Sequence, residues 1–229
     1  MLKITRLGHA YAGRSVLSVE FFSLIQGRHA LLLGPSGSGK STLLNLIAGI
    51  LTLQSGSIVL DDTDLADLSP READSWRASH VGLLPQQLAL IPSLSVADNI
   101  ALPAYAVGKD PDVARVRELL AALDLGDYAS AKPRQLSQGQ RQRVAMARAV
   151  YTRPRLILAD EPTANLDDAN CARVVELLLA QAAATRASLI VASHDVRVME
   201  SLPETQLLRL PAATTATAAA SAIGSGGPA

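Results

Sequence analysis

The octet Gly34-Pro35-Ser36-Gly37-Ser38-Gly39-Lys40-Ser41 has the spacing G-x-x-x-x-G-K-[ST], a pattern whose chemistry is the binding of a nucleoside triphosphate. Its glycines let the backbone curl so that successive N–H groups point inward at phosphate oxygens. Lys40 is suited to neutralise the β- and γ-phosphates, and the Ser41 hydroxyl to sit on Mg²⁺. The octet and the adjoining Thr42 are therefore the candidate nucleotide-binding set. Kinases, GTPases, helicases and transport motors all share this loop, so it does not by itself fix the class.

Leu156-Ile157-Leu158-Ala159-Asp160-Glu161 is an apolar strand ending in two carboxylates. Alternate side chains of a strand face opposite ways, so the two acids can do different work. Asp160 is assigned to Mg²⁺ through its water shell, and Glu161 to polarising the attacking water as general base. Ser188 to Ser193 is a further apolar strand, ending at His194-Asp195. A histidine at the carboxyl end of a strand lies on the edge of an α/β sheet where ligands bind. His194 can there hydrogen-bond the γ-phosphate or hold the water and Glu161 in line. His9, His29 and His80 have no such position and receive no role.

Leu136-Ser137-Gln138-Gly139-Gln140 opens a helical run from Arg141 to Val150. Ser137 and the N–H groups at Gly139 and Gln140 form a helix start, whose positive dipole end suits an anion. Phosphate-loop enzymes often stabilise the charge developing on the γ-phosphoryl oxygens with an arginine from a partner. A helix start can serve instead.

These residues need elements to position them. Ala30 to Leu33 reads as a buried strand leading into the phosphate loop, and Ser41 to Ala48 as the helix leaving it, with Gly49 as C-cap. Strand and helix alternate from Ala30 and again from Leu156, which predicts a parallel α/β core. Ile4 to Leu7, Val16 to Phe22 and Ser57 to Leu60 read as short strands of an antiparallel layer. Helical patterns fill about Leu88 to Val150; Pro111-Asp112 opens one whose Val113, Val116, Leu119, Leu120 and Leu123 fall on one face. From Pro211 to Ala229 the chain turns to Ala, Thr, Ser and Gly without period, a low-complexity tail. Residues 1–210 are thus expected to form one domain with 88–150 as its helical part.

Composition narrows the class. With 229 residues, 48% of them hydrophobic, the chain can bury a substantial core. Lys+Arg and Asp+Glu stand at 21 each, so no net basic field argues for nucleic acid. The lone Cys171 forms no internal disulfide, which fits a reducing interior. No stretch approaches the roughly 20 apolar residues of a membrane span, and Met1 to Gly13 lacks the apolar core of a signal peptide. The chain is expected to stay on the side of the membrane where it is made.

Taken together, the ordered motifs resemble the nucleotide-binding subunit of ATP-binding cassette (ABC) transporters over roughly residues 1 to 210. Ala159 to Asp167, with Asn99-Ile100-Ala101-Leu102-Pro103, is similar to the lipoprotein-releasing and macrolide-exporting subgroup. The resemblance implies an α/β fold of the P-loop NTPase class: a parallel-sheet core, an antiparallel β subdomain and an inserted helical subdomain carrying the signature. It implies Tyr11 as the aromatic on adenine and His194 as the switch histidine. Gln86 becomes the Q-loop residue that reaches the metal and the reaction, with Gln87 as the neighbouring alternative. Asn165-Leu166-Asp167 becomes the D-loop.

The resemblance further implies that Ser137, Gly139 and Gln140 face the nucleotide of a second copy, or of a homologous subunit, so that two chains sandwich two ATP molecules. A separate transmembrane permease would be the driven partner, placing the chain peripherally on the cytoplasmic face. The helical subdomain would rotate against the core when ATP binds and take the permease's coupling helix. Gln138, Pro85 and Ala164 depart from the family's commoner Gly, aromatic and Gly without removing a reacting group. A soluble cassette ATPase of DNA repair or translation is the competing reading, and nucleic-acid or ribosome stimulation would mark it. No Asn-Lys-x-Asp guanine motif supports a GTPase.

Overall fold

Two strands and a tight turn open the chain. The computed structural model describes residues 2–164, 166, 168–202 and 205–211. Strand β1 (Leu2–Tyr11) pairs antiparallel with β2 (Arg14–Leu24) through Ala12 and Gly13, both at positive φ, as a two-residue hairpin of right-handed twist requires. Leu2, Ile4, Leu7 and His9 face inward; the parity changes at Arg6, whose φ of 47° and the shifted pairing of β1 with β4 (Ser55–Leu60) mark a bulge. The sheet is completed by β4 (Ser55–Leu60) and the short β5 (Thr63–Asp64), in the order β2-β1-β4-β5.

The second sheet is parallel, ordered β6-β7-β8-β3-β9. Its strands are β3 (His29–Leu33), β6 (Val81–Leu84), β7 (Leu156–Asp160), β8 (Ser188–Ser193) and β9 (Gln206–Arg209). The central runs are apolar on both sides because both faces are covered. Ala30, Leu32, Leu158 and Ile190 join the antiparallel sheet and α1 (Lys40–Ile47) in one core. Leu31, Leu33, Ile157 and Val191 join the helices α3 (Val96–Ala106), α4 (Val113–Ala122), α5 (Gln138–Val150) and α6 (Asp168–Thr185) in the other. Helix α2 (Pro70–His80) leads into β6, and α7 (Val196–Ser201) follows β8.

The expected α/β architecture is present, with differences of detail. α5 begins at Gln138 rather than Arg141, because Ser137 accepts from the Gln140 N–H while the Gln140 side chain accepts from the Ser137 N–H, a capping box that starts the helix inside the motif. Gly49 stands one residue past the C-cap Ala48 of α1, at φ 64°. Val113 is 55% exposed, off the buried face of α4 that Val116, Leu119 and Leu120 form. α2, β6 and β9 were not among the expected elements. Asn165, Asp167 and the tail after Pro211 lie outside the described residues.

Gly82 sets how closely β6 and α5 meet. A Cβ there would lie 2.1 Å from the carbonyl oxygen of Ala149 near the end of α5, so no side chain fits between strand and helix. The helical part is thereby seated directly on the sheet edge from which Gln86 emerges.

Candidate active site

The strand β3 delivers the chain into the phosphate loop, and Gly39, at φ 91°, is the N-cap of α1. A Cβ on Gly39 would lie 2.6 Å from the Val16 carbonyl oxygen, so this residue must be glycine on both conformational and steric grounds. Lys40 is buried, and its Nζ donates to the carbonyls of Gly34 and Pro35 at 2.8 and 3.2 Å. The ammonium thus stands inside the loop curl. Ser38 is also buried, and its Oγ has no partner among the described residues.

Beside this loop, β7 ends at Asp160, and Glu161 turns out of the strand at φ 46° with its N–H on the Ala192 carbonyl at 2.9 Å. A left-handed conformation at a non-glycine residue is uncommon and costs energy. Here it is this turn, rather than strand alternation alone, that sends the two acids different ways. The Glu161 carboxylate, 10% exposed, stands 3.4 Å from Lys40 Nζ and 2.9 Å from His194 Nδ1 through Oε1. Ser193 Oγ reaches its Oε2 at 3.5 Å. Glu161 therefore joins the phosphate loop to the end of β8.

Asp160 is buried, and its Oδ1 has no hydrogen-bond partner among the described residues. Burial raises its carboxyl above the ordinary range, and the Glu161 charge adds to this; a hydrogen bond from Ser41 and the Lys40 charge oppose it. An orphaned, desolvated carboxylate oxygen beside a serine hydroxyl is a hard-oxygen donor set of the kind Mg²⁺ accepts, with the remaining positions left to water and phosphate. No group of three or more His, Cys, Asp or Glu side chains suited to a metal occurs among the described residues.

A cleft of about 280 Å³ gathers most of the expected residues: Tyr11, Ser36, Gly37, Gly39, Lys40, Ser41, Thr42, Gln86, Glu161 and His194, with Val16. Gly34, Pro35 and Ser38 shape the loop behind it without lining it. Tyr11, at the hairpin mouth, is 49% exposed, an open face for a base. Of the two adjacent glutamines, Gln86 lines the cleft and Gln87 does not.

Ser137 and Gly139 are not brought there. Exposed at the start of α5, they open on a separate cleft of about 520 Å³ against α6. Gln140 lines neither cleft and is held by the capping box.

Sequence reasoning missed two further residues. Gln142, on α5, is buried and donates its side-chain amide to the Pro162 carbonyl. A polar residue three positions before buried Ala145 and four before buried Met146 is a detectable signal, since it falls on the apolar stripe. Arg197 binds Asp195, Asp168 and the Leu166 carbonyl; it carries no local signal.

A phosphate loop after β3, an acid pair at the end of β7 two strands away in the sheet, and a glutamine and histidine converging on one cleft define a phosphate-loop nucleotide hydrolase. The chain belongs to the ABC transporter family, whose model matches residues 19–164, and it is an ATPase of that family. The lipoprotein-releasing system ATP-binding protein LolD 1 of Rhodopirellula baltica is 39% identical over 210 residues, spanning 89% of this chain and 92% of that protein. The dimeric structure of MJ0796, a bacterial ABC transporter cassette, matches with a TM-score of 0.81 at 31% identity, over 93% of this chain and 95% of that one. A dimeric post-hydrolysis structure of the same cassette, bound to ADP and Pi, matches with a TM-score of 0.80 at 30% identity, over 92% and 94% of the two chains.

Proposed function

We propose that two copies of this chain close head to tail on two ATP molecules, hydrolyse them with Mg²⁺, and drive a separate transmembrane subunit in lipoprotein release or a related cell-envelope export. The observation that carries this reading is the segregation of the site. The cleft holding the phosphate loop, Gln86, Glu161 and His194 contains no signature residue, while Ser137 and Gly139 stand exposed at a helix start on another cleft. A second chain supplies what each cleft lacks. The dimeric relative bound to ADP and Pi supports the same arrangement.

In the closed dimer Tyr11 stacks on adenine and the phosphate loop with Lys40 holds the β- and γ-phosphates. Asp160 and Ser41 hold Mg²⁺, with Gln86 beside it. Mg²⁺ neutralises charge on the transferring phosphoryl oxygens when bound. Glu161 accepts the proton of the attacking water, and His194 holds the Glu161 carboxylate in line. The partner's signature helix start faces the γ-phosphoryl oxygens as they gain charge.

No helix among the described residues is long and apolar enough to cross a membrane, so the force has to be passed on. A groove of about 660 Å³ between α2, β6, α3 and α5, lined in part by Arg77, Val107 and Arg148, is the proposed seat of the permease's coupling segment. Arg148 also donates to the Leu88 and Ala89 carbonyls at 2.6 and 2.8 Å, just beyond Gln86, which gives the groove a direct line to the cleft. By this route the chain sits on the cytoplasmic face of the membrane, and the helical part rotates against the core when ATP binds.

Affinity purification from native membranes in mild detergent, with an ATPase assay of the product, tests this. A stoichiometric polytopic membrane protein co-purifying with ATPase activity is expected. Recovery only from the soluble fraction with nucleic acid or ribosomal proteins would overturn the transport role and favour the soluble cassette ATPase.

A further inference from the structure

His194 is exposed over 68% of its side chain, so packing does not hold the ring that contacts Glu161. On the short helix α7 that follows, Arg197 binds the segment next to it. Arg197 spreads its guanidinium over two separate segments. On one side, Nε reaches both oxygens of Asp195 at 3.0 and 2.9 Å, and Nη2 reaches Oδ2 at 2.6 Å. On the other, Nη1 donates to the Leu166 carbonyl at 3.2 Å and to Asp168 Oδ1 at 2.6 Å.

We infer that Arg197 is a positioning residue for the Glu161–His194 pair, locking the segment that follows Glu161 and the segment that follows His194 into one unit. The circuit closes through the pair itself. Asp195 N–H donates to Ser193 Oγ at 3.0 Å, Ser193 Oγ reaches Glu161 Oε2 at 3.5 Å, and His194 Nδ1 stands 2.9 Å from Glu161 Oε1. Leu166, the far anchor, belongs to the stretch that leads from the Glu161 turn into α6. Movement of either segment therefore displaces the other, and with it the distance between base and histidine.

The bond pattern needs arginine. A planar fork with five donors serves a carboxylate, a backbone carbonyl and a second carboxylate at once, whereas an ammonium is a single point of charge. The fork also holds the Asp195 carboxyl below the ordinary aspartate range, which keeps the anchor ionised. Arg197 and Asp168 stand 38% and 90% exposed, where solvent screens the charges, so the loss on breaking the fork is expected mainly in geometry.

The inference rests on the reading of Glu161 and His194 as the hydrolytic pair, and the test separates the two. Steady-state ATPase kinetics and thermal midpoints are measured for the unsubstituted chain, Arg197→Met, Asp168→Asn and the double variant. Arg197→Met is expected to lower kcat at least tenfold with KM for ATP within twofold and the midpoint little changed. Asp168→Asn is expected to lower kcat by a few fold, and the double variant to be no worse than Arg197→Met. A kcat within twofold of the unsubstituted chain, or losses that multiply in the double variant, would overturn the inference. Should Arg197→Met fail to fold, Arg197→Lys takes its place, with at least a threefold loss of kcat at constant KM expected and an unchanged kcat contradicting it. An unsubstituted chain without ATPase activity would overturn the reading of the pair itself.

Discussion

Gln142, on the helix that begins at the signature motif, donates its side-chain amide to the carbonyl of Pro162, the residue that follows Glu161. The helix that begins at Ser137 is thus bonded to the turn that carries Glu161. Replacing Gln142 by Leu leaves a buried carbonyl without its donor, a cost of about 1–3 kcal/mol. For a chain of this size each kcal/mol lowers the thermal midpoint by roughly 2–4 °C. The variant is expected to show that loss together with a several-fold fall in kcat, while its KM for ATP stays near the original. Full kcat in a destabilised variant would show that the bond only supports the fold.

Asp160→Asn separates stability from activity. Burial is the main cause that pushes the Asp160 carboxyl above 3.8, so the charged form is disfavoured in the folded chain. The sign follows from linkage: the stabilisation is present below the unfolded value and is lost as pH rises through the raised one. At neutral pH the ionised group is therefore a cost, and the asparagine variant should melt at an equal or higher temperature while losing ATPase activity. Thermal melts at pH 7.5 with the ATPase assay check both, and a clearly lower midpoint would contradict the assignment.

Tyr11 offers an exposed ring at the mouth of the cleft. Base–aromatic stacking contributes about 1–3 kcal/mol, so Tyr11→Ala should raise KM for ATP about tenfold and leave kcat within twofold. Tyr11→Trp should restore the original KM. An unchanged KM in the alanine variant would remove Tyr11 from the site.

Gly82→Ala places a methyl 2.1 Å from the Ala149 carbonyl oxygen. Backbone rather than a flexible side chain would have to move, which costs about 1–3 kcal/mol. The thermal midpoint should fall by several degrees, and a midpoint equal to that of the unsubstituted chain would show that β6 and α5 are less tightly seated than their geometry implies.

Much of the site was legible because its chemistry is local. The phosphate loop, Asp160-Glu161 and His194 each end an apolar run, and a run that stops at polar residues marks the carboxyl edge of a buried strand. The helix start at Ser137 was read from the sequence, while the regular run was counted from Arg141 rather than Gln138, because the reciprocal bond between Ser137 and Gln140 begins the helix inside the motif. α2 escaped notice although Ser69-Pro70-Arg71-Glu72 forms a capping box, since Trp76 is its one buried residue and no apolar period develops. The bonds from Gln142 to Pro162 and from Arg197 to Leu166 join residues distant in sequence. They depend on how α5, α6 and β8 pack, which no local pattern records.

In the proposed dimer each nucleotide is shared by two chains. Sedimentation of Glu161→Gln with Mg²⁺ and ATP measures it directly, because that substitution is expected to preserve binding while removing the proposed base. A stable dimer with ATP, a monomer with ADP, and a monomer again when Ser137→Arg is added are the predicted results. A chain that binds ATP yet stays monomeric, or a dimer indifferent to Ser137→Arg, would contradict the sandwich.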